Sequence, residues 1–556
     1  MFGAGRAALQ KRSPLLVPVL LFAASAAFTL WRNSQVAVLV DIAYILNTAT
    51  RIAAGDVPYA QFPLAQAPLE FLTQALLIKL FGPHFVVQIA YAAVLGGLAT
   101  VLTYAIARRL LSGAISRPEL LAALVAVPLV PLGIYAIIST PFYDPDACLM
   151  ILAATAAILA ASDRPSRRRW LLAGALITLP VFIKQNTGGA FTVVALAALL
   201  ADAMARPSAR PWLRSCIAGF VGALALELVA LQLVVGIDHY LAWTWTYALT
   251  GRGVALERIG SFADPSIVWP GLLVLGLVLA SRALPGRLRG PVFLVALCVP
   301  LAVRWSSLIG FLDVNTLFPP VLIAASALAL ARAARDGVRI DTVLPLVFAG
   351  TAVGALMSLG LNGSTFGIFP LLVLAIAALV RDIARFVPTP ARFAPLFGVT
   401  LALVLAVSGT AYTITNARLL FVDANAPGPI VRSEFPTLAG LSARGPYIAD
   451  LDAVLFWIRD NVPADDPLAF LPGEDPAFFA LGRRPRLPSV YFYDVATPYS
   501  PTETARFADE VGLRWVFVKD RLQLVEEPPL EQELIVALTR NATLVTRVGP
   551  YRVYRR

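Results

Sequence analysis

Asp41 is an acid in an unusual place. It stands early in a long semi-polar stretch, residues 32–83, directly after the first apolar run of the chain. A carboxylate held at a membrane surface can accept a proton from an attacking hydroxyl. Two more acids, Asp144 and Asp146, occur in the turn YDPD. Such a pair can hold groups that partner Asp41, bind acceptor hydroxyls, or bind a divalent cation, Mg or Mn. Lys184, Gln185 and Asn186 form a tight polar turn between two apolar runs, and His239 and Tyr240 open the loop 238–265.

Each of these residues also has a purely structural reading. Asp41 can cap the helix that follows it, and Asp146 can cap the next span. Asp-Pro-Asp is good turn chemistry. Lys184 can snorkel to the headgroups. A lone interfacial His is commonly structural, and Trp243, Trp245 and Tyr247 fit an interfacial aromatic belt.

The elements that must position these residues are membrane helices. The chain has 556 residues, 58% apolar and 14% charged, with mean hydropathy +0.75. Apolar runs of about 20 residues, the length that crosses a bilayer, recur throughout. Thirteen spans are expected: 14–31, 84–109, 119–138, 146–162, 169–184, 188–205, 213–236, 266–281, 291–306, 316–333, 342–360, 367–384 and 393–414. The N-terminus is basic and then apolar but lacks a clear cleavage site, so it reads as a retained first span.

The net charge of +11 is a topology signal rather than a nucleic-acid stripe. Arginine clusters in every second turn: RRLLSGAISR, DRPSRRR, RPSARPWLR, RALPGRLR, RAARDGVR and RDIARFVPTPAR. The intervening turns YDPD, KQNTGG and LNGSTFG carry a single Lys between them. The Arg-rich side is then cytoplasmic. That places the N-terminus inside, and the 32–83 loop, YDPD and everything after 414 outside. Cys148, Cys216 and Cys298 lie in or beside apolar runs and form no Cys-x-x-Cys motif, so neither a disulfide framework nor a zinc site is indicated.

Within the first loop, Ile42, Ile45, Leu46, Ala49, Ile52 and Ala53 recur at helical spacing, and Gly55 ends the pattern. This predicts a helix lying in the membrane interface, apolar face down. Leu69, Leu72, Leu76 and Leu80 form the stripe of a second surface helix. Residues 425–556 form a separate soluble domain of mixed α/β order, following a membrane domain of residues 1–424. In it LDAVLFWIRDNV reads as an amphipathic helix and LAFLPG and RWVFVKD as buried strands. PTETARFADEVG reads as a helix with a Thr cap, and ATLVTRVGPYRVYRR as a closing hairpin.

Asp41 with Tyr44, the turn GDVPYAQF, the segment QAPLEFLTQALLIKLFG and a span ending in RRL stand in an order that resembles the GT-C superfamily of membrane glycosyltransferases. The likeness is to the branch of protein O-mannosyltransferases and the lipid A aminoarabinose transferase. YDPDACLMILAATAAILA, WLLAGALITLPVFIKQNTGGAF and the outside tail with WIRDNVPADD extend it over most of the chain. Two positions depart from the family pattern: Ile42 follows Asp41 where a second acid is common, and Gln61 replaces the usual Asp of the turn.

The resemblance implies a sugar donor linked through phosphate to a polyprenol. It also implies transfer to a hydroxyl of a lipid, glycan or protein at the extracytoplasmic face of a bacterial inner (plasma) membrane. Asp41 is then the general base or the group that orients the acceptor, with Asp146 and Asp144 as candidate partners. Lys79 aligns with a family Lys near the donor phosphate. Lys184, Arg252, Arg258 and Arg304 are further candidates, because a phosphate leaving group needs a cation. Tyr44, Tyr59, Gln185, Asn186 and His239 are candidate substrate contacts. The competing classes are a lipid or sugar transporter or flippase, and a polysaccharide polymerase or ligase. A transporter calls for ionisable groups within spans and matched broken helices. A polymerase calls for a large outside loop late in the chain.

Overall fold

The computed structural model describes residues 15–250, 314–386, 393–493, 498–525 and 532–556, with scattered positions between 260 and 288. The expected span 291–306, most of 266–281, and Arg252, Arg258 and Arg304 lie outside the described residues.

Long apolar helices build the first part of the chain: α1 (Leu16–Asn33), α2 (Leu39–Ala53), α3 (Leu69–Phe81), α4 (Phe85–Leu111), α5 (Pro118–Ala126), α6 (Tyr143–Asp163), α7 (Arg167–Ile183), α8 (Gln185–Ala205) and α9 (Arg210–Val234). After the 251–313 interval come α10 (Phe318–Asp336), α11 (Ile340–Ser364), α12 (Phe369–Phe386) and α13 (Phe393–Ile414). Among the described residues, eight helices are long and apolar enough to cross a membrane. The expected boundaries of the described spans hold within a few residues, with one exception.

The exception is 119–138. Its helix stops at Ala126 and only a short turn of helix, Leu129–Leu132, follows. Pro128 and Pro131 each lack a backbone N–H and block continuation. Residues 133–142 then run irregularly but wholly buried. Irregular backbone is tolerated at membrane depth when it is packed in protein rather than exposed to lipid.

Two polar faces sort by partner. At one, the Arg-rich turns make ion pairs: Arg109 with Asp163, Arg206 with Asp202, and Arg332 with Asp382 at 3.0 Å. At the other, helix ends from all parts of the chain meet. Arg32 at the end of α1 donates to Asn416 just beyond α13. Asn33 donates to the carbonyl of Ser139 at 3.4 Å, and Thr413 to that of Pro131 at 2.7 Å. Asn315 accepts from Thr365 and donates to the hydroxyl of Tyr412. Asp41, YDPD and Lys184 all lie on this second face.

The first-loop helices differ from expectation in one physical respect. α2 does not lie with a single face down. Eleven of its fifteen residues, Leu39–Val40, Ile42–Ala43 and Ile45–Arg51, are buried, because the C-terminal domain covers the side turned away from the membrane helices. Asp41 is not the helix cap either: the cap position is Val38, without a capping side chain. α3 inverts the soluble pattern. Leu72, Leu76, Leu80 and Phe81 are exposed, while Glu70 and Gln74 point inward and are buried. Apolar side chains outward and polar ones inward is the arrangement a lipid surround favours.

The C-terminal domain matches its reading closely. A four-stranded sheet runs in the order β3 (Leu468–Leu471), β4 (Trp515–Lys519), β6 (Tyr551–Arg555), β5 (Thr543–Val548), and a separate ribbon pairs β1 (Ile430–Arg432) with β2 (Ser442–Arg444). β3 and β4 are parallel, Leu468 opposite Trp515; the other pairings are antiparallel. Helix α14 (Tyr447–Asn461) packs beside them, and α16 (Pro501–Glu510) follows the short α15 (Ala477–Leu481). The cap of α16 is Ser500 rather than a Thr, in a capping box with Glu503.

α7 and α9 cross at bare backbone. A Cβ on Gly174 would run into the Cys216 carbonyl, and one on Gly219 into the Leu171 carbonyl. Small residues allow such close approach between membrane helices. Gly219→Val is therefore expected to separate the pair at a cost of about 1–3 kcal/mol. A thermal midpoint in detergent equal to the parent's would contradict this contact.

Candidate active site

The site is built around the first turn of α2. Asp41 is its third residue, half-buried, with its carboxyl pushed up to about 6. Burial is the main cause; the Arg418 guanidinium opposes it and the Asp144 carboxylate reinforces it. Both groups are thus within electrostatic reach of Asp41, although they come from helices remote in sequence.

Asp144 occupies the first turn of α6, buried against Gly367, where a Cβ would come within 3.0 Å of its own. Lys184, at the C-terminal end of α7, closes on it at 2.5 Å and lies over the Tyr143 ring at 4.7 Å. Asp144 therefore joins Asp41 and Lys184 in one polar centre.

Asp146, the other acid of YDPD, points elsewhere. It accepts hydrogen bonds from the hydroxyls of Tyr91 and Tyr135 and faces Glu70 of α3. Burial, then Asp146, push the Glu70 carboxyl well above the usual range. This cluster ties α3, α4 and α6 together. Of the two acids, it is Asp144 whose charge reaches Asp41.

The other sequence candidates divide in the same way. Tyr44, one turn after Asp41, donates its hydroxyl to Gln66. Tyr59 adopts a left-handed backbone with φ 64°; its hydroxyl donates to the Gln66 carbonyl at 2.7 Å, and its own carbonyl accepts from Trp243 at 3.1 Å. Gln185 clamps the first loop, donating to the Ala65 carbonyl at 2.8 Å and accepting from the Ala67 N–H at 3.2 Å. Asn186 donates to the Gly354 carbonyl. These four organise the walls of the site, with Gln185 tying the first loop to the start of α8. His239 is exposed on a short helix, Ile237–Leu241. Lys79 is exposed near the end of α3, between Leu76 and Leu80. Neither joins the cluster. Gln61, where the family pattern has Asp, accepts from the Val57 N–H at 2.6 Å and closes its own turn.

Arg418 is the residue sequence reading missed. It lies just beyond α13, in the 3-10 turn Ala417–Leu419. It donates to the Gly363 carbonyl at 3.0 Å and stacks between Phe421 and Phe366 at 4.9 and 5.3 Å. Its position after the last span, on the Arg-poor face, was the available signal.

A divalent cation fits poorly. Among the described residues no three or more His, Cys, Asp or Glu side chains converge to hold a metal. Asp144 already faces an ammonium and Asp146 two phenols.

α2 owes its place to the C-terminal domain. Gln523 accepts from the Leu39 N–H at 2.9 Å and donates to the Ala37 carbonyl at 2.8 Å, capping in trans a helix that has no cap of its own. The Gln523 N–H is held by Glu474 at 2.8 Å, and Glu474 by Lys519 at 2.7 Å. Further along, Asn47 donates to the Asp475 carbonyl and accepts from the Phe479 N–H. Removing the cap with Gln523→Ala should cost about 1 kcal/mol, and residues 39–44 should exchange amide hydrogens roughly fivefold faster while α6 and α7 are unchanged. Unaltered exchange at 39–44 would remove Gln523 as the cap.

Residues 65–234 match the family described as dolichyl-phosphate-mannose-protein mannosyltransferase. The crystal structure of ArnT from Cupriavidus metallidurans bound to undecaprenyl phosphate is 12% identical, with TM-score 0.48 over 98% of both chains. The same protein in the apo state is 14% identical, with TM-score 0.45 over 97% of both. No curated protein matches. The family match contains Glu70, Asp144, Asp146 and Lys184.

Proposed function

We propose that the protein moves a sugar from a polyprenyl-phosphate donor to a hydroxyl acceptor at the face that carries Asp41, and that this face is extracytoplasmic. The observation that carries the reading is the Asp41 centre itself. A half-buried carboxyl with a pKa of about 6 sits at the start of a helix held between membrane helices and a soluble domain. It is reached by one cation, Arg418, and one acid, Asp144, which is itself paired with Lys184.

The chemistry follows. The acceptor oxygen attacks the anomeric carbon as its proton passes to Asp41. The bond from that carbon to the phosphate oxygen breaks, and its electron pair leaves with the polyprenyl phosphate. A base with a pKa near 6 is largely ionised at neutral pH yet basic enough to take a proton as the bond forms. Arg418 and Lys184 are the described cations available for the growing phosphate charge. Lys184 is neutralised by Asp144 before the donor arrives, so a phosphate there would share the ammonium. No step needs a metal, and the residues present do not favour one.

Purified protein given radiolabelled polyprenyl-phosphate sugars should release label from the lipid, and Asp41→Asn should abolish release. Folded and unfolded forms differ in proton affinity at this group. The raised folded pKa means ionising Asp41 costs stability as pH rises through the range from 3.8 to about 6. The Asn variant should therefore unfold no earlier than the parent at pH 7. Full activity of the variant would refute Asp41 as the base.

The pH profile of kcat/KM gives a sharper check. Turnover should fall as pH drops through about 6, because the base is protonated. Asp144→Asn removes a like charge and should move that acid limb to lower pH. Arg418→Gln removes an opposing charge and should move it higher. Shifts of the same sign in both variants would contradict the electrostatic arrangement.

A further inference from the structure

A second cavity lies at the far end of α2. It has a volume of about 430 Å³ and is lined by Arg51, Asp56, Pro467, Arg484, Pro485, Arg486 and Val511. The volume is in the range of small-ligand sites. Its lining comes from the end of α2, the turn that follows and the C-terminal domain; no spanning helix contributes.

Its charge is unbalanced. Three guanidinium groups face one carboxylate, and that carboxylate is committed. One Asp56 oxygen takes Arg51 Nε at 2.5 Å, and the other takes Arg484. Arg51 is buried and spends a further N–H on the Leu487 and Pro488 carbonyls at 2.6 and 2.9 Å. Arg484 keeps 41% of its side chain exposed. Arg486 is exposed and has no carboxylate partner among the described residues. Burial is the main cause working against the charge on Arg51; Asp56 supports that charge, and the neighbouring Arg484 opposes it.

We infer that this cavity binds an oxyanion, a phosphate or carboxylate substituent of the acceptor, with Arg486 and Arg484 as the ligating forks. Guanidinium groups match such oxyanions in a bidentate manner and stay charged when partly buried. Arg51 follows Asp41 by ten residues on one helix, so the cavity begins about 15 Å from the reacting centre. Tyr44, Thr48 and Arg51 also border an aromatic crevice with Phe62, Trp243 and Tyr491. The crevice runs from Arg51 to Tyr44, along the face of α2 that also carries Asp41. An acceptor held at both ends would have its hydroxyl fixed at Asp41 by a group that takes no part in the reaction. This assignment rests on the proposed transfer to an acceptor at Asp41; the oxyanion site itself does not.

The test is calorimetric titration of the full chain with inorganic phosphate. It is run in detergent, in nanodiscs of phosphatidylcholine, and in nanodiscs that also contain phosphatidylglycerol. Saturable binding is expected, equal in the two kinds of nanodisc. It should weaken at least tenfold in Arg486→Gln, whose thermal midpoint should equal the parent's because the side chain is exposed. Unchanged phosphate affinity in Arg486→Gln, or no saturable binding, would overturn the site. Binding lost only in phosphatidylglycerol nanodiscs would overturn its assignment to the acceptor and give it to lipid headgroups. Failure of the sugar transfer would leave the phosphate titration standing, so the two readings can fail separately.

Discussion

The hydrogen bonds of Gln523 to residues 37 and 39 are the constraint on which the site depends. The first turn of any helix exposes N–H groups that need acceptors. α2 begins at Leu39 with Val38 in the cap position, which supplies none. The acceptor comes instead from 484 residues away, and it is backed by Glu474 and Lys519, both buried. Asp41 lies two residues beyond that junction. The C-terminal domain is therefore part of the wall of the candidate site, and the helix that carries Asp41 is held by both parts of the chain.

This explains why the membrane part of the fold was legible and the site only partly so. Spans such as α4 and α6 follow from runs of about 20 apolar residues, a local property. The strands Leu468–Leu471 and Trp515–Lys519 follow from short buried runs. α5 was read too long because its apolar run continues past Pro128 and Pro131, and apolarity persists where helix cannot. The burial of α2 could not be read locally, since the covering surface is encoded after residue 470. The choice between Asp144 and Asp146 turned on which way α6 faces at its first turn. Two positions apart on a helix, the two carboxylates point about 200° apart, one toward Lys184 and one toward Tyr91 and Tyr135.

Glu70 beside Asp146 has a different physical sense from the Asp41 centre. Both are acids in poor solvent, but Glu70 is buried on the inward face of α3, next to the Asp146 carboxylate that the Tyr91 and Tyr135 hydroxyls hold. Gln74 donates to Glu70 at 3.0 Å from the next turn of α3. In a lipid surround such inward polar groups hold helices in register where apolar contacts alone discriminate little. The same inversion leaves Lys79 outside: on α3 the outward stripe is Leu72, Leu76 and Leu80, and Lys79 belongs to it by helical position.

Asp41 is poised between opposing fields rather than simply buried. Desolvation alone would push a carboxyl toward permanent protonation and end its use as a base. Arg418 draws it back, while Asp144, itself paired with Lys184 at 2.5 Å, adds to the rise. In the proposed transfer, a donor phosphate near Lys184 or Arg418 would add negative charge to the same small volume. It would raise the proton affinity of Asp41 at the moment an acceptor proton must be taken. The phosphate that later leaves would thus also strengthen the base while bound, a coupling that rests on four side chains on four different helices or turns.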